Sequence, residues 1–358
     1  MRRRKDRGIA LILALLVLII LVVVILQMSA SSLHNRTLAQ NHLSDLQNTY
    51  GARAGLARAQ LYLQADQEQT PEVDSLREMW ATPMEFTLGK AQVRVQICDA
   101  ERFINLSQLT NEKGEPNPPV VSQLKRLVKN LKFTPDIADR IVDYIDADTK
   151  GEFEPRAKND KLYNLEELLR IEGLTPEIVY GGVTPDGERK GLREFLTIWP
   201  KTADSGAAPG AVNINTAPAE VLWSLSDLMT QGVAEAIVAY RTQPGPDGRP
   251  QEFTKPDDLK RVQGMNDGIY TSLAGQIAVK SSTFEVRSRG TVGNVEKAWV
   301  YVLQRKGAAG AAGTGAPPPA PPPPPSDGST PAPAKATLVL VGAQPLNDFT
   351  SAKPEEEK

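Results

Sequence analysis

Hydrophobic and polar residues follow two different periods along this chain, and the change of period divides it into regions. Residues 9–26 are apolar and uncharged, and apolar residues then recur at spacings of three and four across residues 27–66. No proline occurs between Ile9 and Gln69. The pattern predicts one long α-helix with an apolar first half and an amphipathic second half.

The amphipathic half carries an apolar stripe, which we expect to pack against other helices. Gly51 and Gly55 are the weak points of this helix, since each costs about 1 kcal/mol relative to alanine. The stripe consists of Leu43, Leu46, Tyr50, Ala54, Ala57 and Leu61.

Alternation of apolar and polar residues predicts strands in two distant segments. Residues 84–106 begin as a hairpin around a Leu-Gly-Lys turn, and residues 282–306 read as two strands around Gly290–Gly293. Between them, residues 107–275 have a helical period. The simplest packing joins the early and late strands into one antiparallel sheet against the long helix. The sequence therefore predicts an α+β fold with a large all-α domain inserted in the sheet.

The C-terminal part of the chain, residues 307–358, is rich in glycine, alanine and proline. Such a segment cannot bury enough apolar surface to offset its ordering entropy, so we expect a disordered or polyproline II tail. Within it, the short run from Thr337 to Val341 is either a strand or a hydrophobic stretch of the tail.

Composition narrows the possible chemistry. The chain has 358 residues, a formal charge of −2 and one cysteine, Cys98, so an intrachain disulfide is excluded. The only histidines, His34 and His42, precede the later domains, which excludes a histidine-based acid–base or metal site there. No nucleophile–base or phosphate-loop pattern stands out. We therefore expect a protein that is not an enzyme and has no global attraction to nucleic acid.

The N-terminus points to a membrane. Residues 1–7 read MRRRKDR, and the apolar run that follows Gly8 would be about 27 Å long as a helix, close to the hydrocarbon thickness of a bilayer. The basic stub should stay in the cytoplasm, which places the rest of the chain outside the inner membrane. A plain signal anchor, or a signal peptide cut near Met28–Ala30, would also explain this segment.

A basic leader that ends in glycine before such a helix resembles the type IV pilins and pseudopilins. The resemblance implies that residues 1–8 are a leader, that a prepilin peptidase cuts between Gly8 and Ile9, and that the new N-terminus is methylated. Most pilins carry a glutamate at the fifth position after the cut, where this sequence has Leu13. A carboxylate in the bilayer is costly unless it is paired, and in the family it is thought to pair with a neighbouring subunit. Its absence is typical of the K-type minor pseudopilin.

Four internal strings also resemble the general secretion pathway protein K family of type II secretion systems: INLSQL, VDYIDADT, NLEELLRIEGLTPE and VNINTAPAEVL. The resemblance implies a pilin-like fold and a place at the tip of the periplasmic pseudopilus, where the protein primes filament assembly. It also implies a single-pass inner-membrane location. The implied partners are other minor pseudopilins, the major pseudopilin, the prepilin peptidase and the inner-membrane assembly platform. A minor pilin of a type IV pilus is an alternative.

An acidic segment is a candidate cation site. Asp143, Asp146 and Asp148 end a predicted helix, and Glu152 and Glu154 follow. Ca²⁺ takes six to eight oxygen ligands, and the resemblance implies calcium sites near such a loop. The loop here is shorter than the family's pattern and contains basic residues, which favours a solvated acidic helix end over a calcium site.

Another region resembles the tandem helix–hairpin–helix units of DNA-uptake and repair proteins, whose hairpins present backbone N–H groups to phosphate. The hairpins here, at Gly232 and Gly264, lack the second glycine, and the surrounding charge is mixed. These features favour protein packing and make nucleic acid an unexpected partner. A membrane-anchored DNA-binding protein is the alternative.

The segment VNINTAP is predicted to supply turn and cap chemistry, with Asn215 or Thr216 as the N-cap of a helix that starts at Pro218. Asn213 is expected to serve the same turn. Trp80 falls in the linker after the long helix and has no predicted role.

Overall fold

The structure is a computed structural model that describes residues 3–184, 187–201, 210–245, 248, 250–306 and 337–345. In chain order its helices and strands are α1 (Arg3–Gln69), β1 (Met84–Leu88), β2 (Ala91–Asp99), β3 (Ile104–Asn105), α2 (Pro118–Asn130), α3 (Asp136–Ile145), α4 (Pro176–Tyr180), β4 (Gly181–Thr184), β5 (Gly187–Lys190), β6 (Leu196–Thr197), β7 (Val212–Asn213), α5 (Ala219–Ser224), α6 (Gln231–Thr242), α7 (Asp267–Ser272), β8 (Ile277–Ala278), β9 (Thr283–Val292), β10 (Val295–Lys306) and β11 (Thr337–Pro345).

One antiparallel sheet joins the two distant strand regions, in the order β1-β2-β9-β10-β11. Its two short turns contain Gly89 and Gly293, whose positive φ angles of 60° and 59° suit glycine. The turn between β9 and β10 therefore lies at Gly293, whereas Gly290 is inside β9. The predicted α+β fold, with a long helix on an antiparallel sheet and an inserted helical region, is confirmed. The insertion is not all-α as predicted, because it also contains the strand pairs β3–β6, β4–β5 and β7–β8.

Helix α1 packs closely on this sheet through small residues. A Cβ on Gly55 would lie 2.0 Å from Ser288 Oγ, and a Cβ on Gly290 would lie 2.6 Å from the carbonyl oxygen of Asn48. Such distances leave no room for a side chain, so these glycines allow the two backbones to approach. Gly55, a weak point by helix propensity, is therefore a contact point of the fold.

Two hydrophobic cores result. The core between α1 and the sheet contains Trp80, which meets Phe284 edge-on at a ring-centroid distance of 5.2 Å. The larger core fills the insertion and extends from Ile104 to Leu273. Trp80, which sequence reasoning left without a role, is thus a core residue of the helix–sheet unit.

The first strand region ends earlier than the sequence predicts. Residues 84–106 were expected to belong to the sheet, but β2 ends at Asp99, whose side chain caps a short 3-10 turn by accepting from the backbone N–H of Glu101. Strand β3 then pairs in parallel with β6, and Ile104 is buried in the core of the insertion. The insertion therefore begins about six residues before residue 107, because Ile104 and Leu106 are buried in its core.

A strand at residues 337–345 interrupts the tail, residues 307–358, that was predicted to be disordered; for the run from Thr337 to Val341 a strand was one of the two alternatives. This strand is β11, which pairs with β10 along the edge of the sheet. Aliphatic residues such as Leu338 supply the apolar surface that the flanking low-complexity sequence lacks, and Leu338 packs against the helix–sheet core. The rest of the predicted tail lies outside the described residues.

Candidate assembly and cation-binding sites

The N-terminal half of α1 stands apart from both cores. Gly8 and Ile9 lie within the continuous helix, and Leu13 is 56% exposed. The helix is the one element in the described part of the chain that is long and apolar enough to cross a membrane, with a mean hydropathy of 3.4 in its most apolar window. This half is compatible with a single-pass membrane anchor.

The predicted apolar stripe does not face the sheet. The residues of α1 that pack on the sheet include Ala52, Ala59 and Leu63, all fully buried. At about 100° per residue, the stripe lies on the opposite side of the helix. Leu46 and Leu61 are accordingly 54% and 65% exposed.

The other members of the stripe share this environment. Leu43, Tyr50 and Ala57 are exposed, and Ala54 is half-buried. The helix therefore has one side fixed to its own sheet and another that offers an uncovered apolar surface continuous with the anchor.

The structure brings together three of the five predicted cation ligands. One carboxylate oxygen from each of Asp146, Asp148 and Glu154 lies within 4.8 Å of the others. Asp146 follows the last residue of α3 and is 4% exposed. Asn159, which sequence reasoning missed, donates from its side-chain amide to the carbonyl oxygen of Asp148 at 2.7 Å.

Several oxygens in or next to this acidic site accept no hydrogen bond. Among the described residues, Asp146 Oδ1, Glu154 Oε1 and Asn159 Oδ1 are buried and accept no hydrogen bond. Burial raises the pKa of Asp146 to about 6, and the negative charges of Asp148, Asp143 and Glu154 add to the effect. A buried group of oxygens without donors is the environment in which a hard cation such as Ca²⁺ binds.

The two remaining predicted ligands, Asp143 and Glu152, do not belong to the group of converging carboxylates. Asp143 contributes charge, but its Oδ2 accepts from the backbone N–H of Phe153 at 3.0 Å. Glu152 is exposed and is not part of the convergent group. The residues whose carboxylates converge on a possible cation position are therefore Asp146, Asp148 and Glu154, and Asn159 braces the loop beside them.

A buried polar network joins the insertion to the sheet, and the VNINTAP segment is at its centre. Asp99 Oδ2 accepts from Thr216 Oγ1 at 2.6 Å, from Ser281 Oγ at 2.7 Å and from Asn213 Nδ2 at 3.1 Å. Asn213 also donates to the carbonyl oxygen of Asp74. Burial raises the pKa of Asp99, against the effect of these donors.

The predicted capping role of this segment is therefore wrong. Pro218 precedes the first residue of α5, and no side chain caps that helix. Asn215 instead exchanges two hydrogen bonds with the backbone of Phe253, each 2.9 Å long. The predicted turn at Asn213 is present, since its Oδ1 accepts from the backbone N–H of Asn215 at 3.0 Å. Asparagine and threonine signals in a sequence do not distinguish a local cap from a long-range contact, and Asn215 and Thr216 make long-range contacts here.

Next to this network, Arg305 ties the end of α1 to the sheet. Its guanidinium contacts Asp74 at 2.5 Å and Asp66 at 2.7 Å, and all three side chains are nearly inaccessible to solvent. Burial nevertheless raises the pKa of Asp74 to about 6, although the charge of Arg305 opposes the effect. Because Arg305 already pairs with Asp66 and Asp74, two members of the second acidic group, which also contains Glu78, have a protein cation as their partner.

The second predicted helix–hairpin–helix turn, at Gly264, follows two cations that each lie close to a carboxylate. Arg261 and Lys260 each lie within 4 Å of an aspartate, Asp258 and Asp257 respectively. Gly264 has a φ of +86°, which suits the hairpin. The pairing of these cations leaves the second hairpin without a clearly basic face.

Two family models match the sequence. The model for protein K of the type II secretion system matches residues 102–181, which include the acidic site. A model for the helix-hairpin-helix motif matches residues 209–278, which include Asn213 and Thr216. No curated protein matches the sequence.

The architecture is also similar to a solved structure. A chain in the crystal structure of the GspK-GspI-GspJ complex, from the type 2 secretion system of enterotoxigenic Escherichia coli, superimposes with a TM-score of 0.62 at 18% identity. The similarity covers 87% of this chain and 100% of that chain. The protein K model over residues 102–181 and the shared fold both agree with the resemblance stated from the sequence, to the protein K minor pseudopilins of type II secretion systems.

Proposed function

We propose that this protein sits at the tip of the periplasmic pseudopilus of a type II secretion system, and primes filament assembly with other minor pseudopilins. The observation that carries the proposal is the uncovered stripe on α1, on the side of the helix opposite its own sheet. An apolar surface of this kind is suited to packing against the long helices of sister subunits. The GspI and GspJ chains in the complex of the similar structure support such partners.

The energetics of the stripe are sufficient for a helix–helix contact. Burial of one exposed leucine contributes about 1.5–3 kcal/mol, and Leu43, Leu46 and Leu61 are all more than half exposed. Because the stripe continues the apolar anchor on the same helix, a neighbouring helix could follow both without a break. Assembly therefore requires no rearrangement of the sheet or the insertion.

The position at the tip is supported by two features of this chain. The insertion, which the sheet receives between β2 and β9, adds bulk that would obstruct stacking along a filament shaft. In the family this chain resembles, a glutamate at the position of Leu13 is thought to pair with a neighbouring subunit and set the filament register. Leu13 cannot make that pairing. Cleavage between Gly8 and Ile9 with methylation of Ile9, by a prepilin peptidase, would free the helix to enter the assembly.

The assembly proposal is tested by isolating the partner pseudopilins with this chain from detergent-solubilised membranes. Leu46→Glu places a charge in the stripe and should abolish co-isolation and secretion. The matched control is Leu228→Glu, because Leu228 is 56% exposed but lies in the insertion. Equal co-isolation with both variants would contradict the proposed interface.

We also propose that the acidic site binds Ca²⁺. Asp146, Asp148 and Glu154 supply the charge, and Asn159 holds the loop that carries them through its hydrogen bond to the carbonyl oxygen of Asp148. The ion would neutralise like charges at the end of α3 and hold the following loop, residues 148–159, in its observed conformation. Its role is structural, since it would stabilise the insertion.

DNA binding is the second candidate function, because the helix-hairpin-helix model matches residues 209–278. Gel-shift measurements at low and moderate salt separate the two functions. Phosphate contacts give a steep dependence on salt, whereas a hairpin used for protein packing leaves no shifted band. The paired cations of the second hairpin favour protein packing.

A further inference from the structure

Strand β11 is an edge strand that reaches the sheet by a long connection. Its register with β10 runs from Lys306 opposite Thr337 to Trp299 opposite Pro345. Two adjacent antiparallel strands can be joined by as few as two residues. Here the connection is residues 307–336, which could span up to roughly 100 Å if fully extended. The covalent link therefore allows β11 to leave the edge.

Backbone pairing is the main attachment of this strand. No side chain of β11 is fully buried, and Leu340 is 45% exposed. On β10, by contrast, all residues from Val300 to Arg305 are buried. Strand β10 is thus part of the buried fold, whereas β11 is more exposed at the edge of the sheet.

The edge of β10 nevertheless restricts which side chains a pairing strand can carry. A Cβ on Gly342 would lie 2.7 Å from Cζ2 of Trp199, which packs against the core of the insertion. Trp199 therefore excludes a side chain at this position. Leu338, at the other end of the strand, packs against the helix–sheet core. The edge thus selects an aliphatic residue at one position and glycine at another.

We propose that the β10 edge, with Trp199 beside it, is a strand-recognition site for an extended aliphatic segment of another polypeptide, and that β11 is its tethered occupant. The ligand adds to the sheet by backbone hydrogen bonds, with a glycine opposite Trp199. While β11 is docked, it protects the edge from unselective pairing. The site is separate from the stripe on α1, so this proposal does not rest on the proposed function.

A displacement experiment on the full chain in detergent tests the proposal. A specific protease site is placed within residues 307–336, and the probe is a fluorescent peptide with the sequence of residues 337–345. Before cleavage, the peptide at about 50 µM should not bind, because a tethered segment acts at an effective concentration near millimolar. After cleavage, the peptide should replace the released strand and the bound fraction should rise at least about tenfold.

A peptide with Gly342→Leu is the matched control and should bind the cleaved protein at least about tenfold more weakly, a loss of about 1.4 kcal/mol. Trp199→Ala in the protein should restore binding of that peptide, while its binding of the unchanged peptide shows that the edge is still folded. The proposal is overturned if the cleaved protein takes up no peptide. It is also overturned if the two peptides bind equally well.

Discussion

Thr216 and Asp99 are 117 residues apart in sequence, yet Thr216 Oγ1 donates a 2.6 Å hydrogen bond to Asp99 Oδ2. Both side chains are inaccessible to solvent. The bond joins the loop before α5 to the last residue of β2, and so holds the insertion on the sheet. Asp99 also accepts from Ser281 and Asn213, so one buried carboxylate organises the junction.

Thr216→Val should test this junction, because valine keeps the shape but removes the donor. We expect the free energy of unfolding to fall by about 1–3 kcal/mol, since a buried carboxylate oxygen loses a partner. Denaturant unfolding of the detergent-solubilised chain measures the loss. Thr242→Val is the control: Thr242 is exposed and bonds only within its own helix, so a change within about 0.5 kcal/mol is expected. Similar losses for both variants would argue against a special role for the Thr216–Asp99 bond.

The junction should also make stability depend on pH. Burial, with the charge of Asp99, raises the pKa of Glu101 to about 7. The folded protein therefore holds this proton more tightly than the unfolded chain, in which the pKa is about 4.5. The stabilising contribution is complete below about pH 4.5 and is lost as the pH rises through 7.

Glu101→Gln isolates this contribution, because glutamine can still accept from Ser282. Unfolding free energies between pH 5 and 8 should fall less steeply for the variant than for the unchanged protein. Parallel pH profiles for the two proteins would mean that Glu101 does not titrate in this range.

The close approach of α1 and the sheet gives a third prediction. Gly55→Ala places a Cβ 2.0 Å from Ser288 Oγ and 2.7 Å from a methyl group of Val95, so the helix must shift. We expect a loss of about 1–3 kcal/mol in the free energy of unfolding, despite the better helix propensity of alanine. Gly232→Ala is the matched control, since that helical glycine faces open space and the change should stabilise by about 0.4–1 kcal/mol. Stabilisation by both substitutions would contradict the packing described for Gly55.

Calcium binding to the acidic site is tested by calorimetry at several pH values. The raised pKa of Asp146, about 6, means that a bound proton competes with the ion. Affinity should therefore increase from pH 5 to 7 and then level off. Asp146→Asn should weaken binding at least about tenfold through the lost charge, whereas Glu152→Gln, at an exposed position outside the site, should leave affinity unchanged. If both substitutions weakened calcium binding equally, the ion would be held by the general negative charge of this surface and not by the proposed site.

The long helix, the sheet and the helical insertion could be predicted from the sequence because their signals are local. An apolar run, a period of two and a period near 3.6 each depend on neighbouring residues. The boundary at Asp99 could not be predicted, because Ile104 fits a strand in either the sheet or the insertion. Strand β11 was equally ambiguous, since five apolar residues in a low-complexity segment do not reveal a pairing partner.

The candidate sites illustrate the same limit. The spacing of Asp146, Asp148 and Glu154 was visible in the sequence, but the contact of Asn159 with the carbonyl oxygen of Asp148 depends on how the loop returns to the end of α3. The stripe was correctly placed on one side of α1. Its periodicity did not reveal that the sheet covers the other side, because small residues such as Ala52 and Gly55 carry little hydrophobic signal.

The most direct test of the account is the mass and N-terminal sequence of the native chain extracted from membranes. A pseudopilin whose helix enters the filament only after its leader is removed should begin at Ile9 and carry a methyl group on its amine. A native chain that still begins at Met1, or one cut near Ala30 and released from the membrane, would contradict the account.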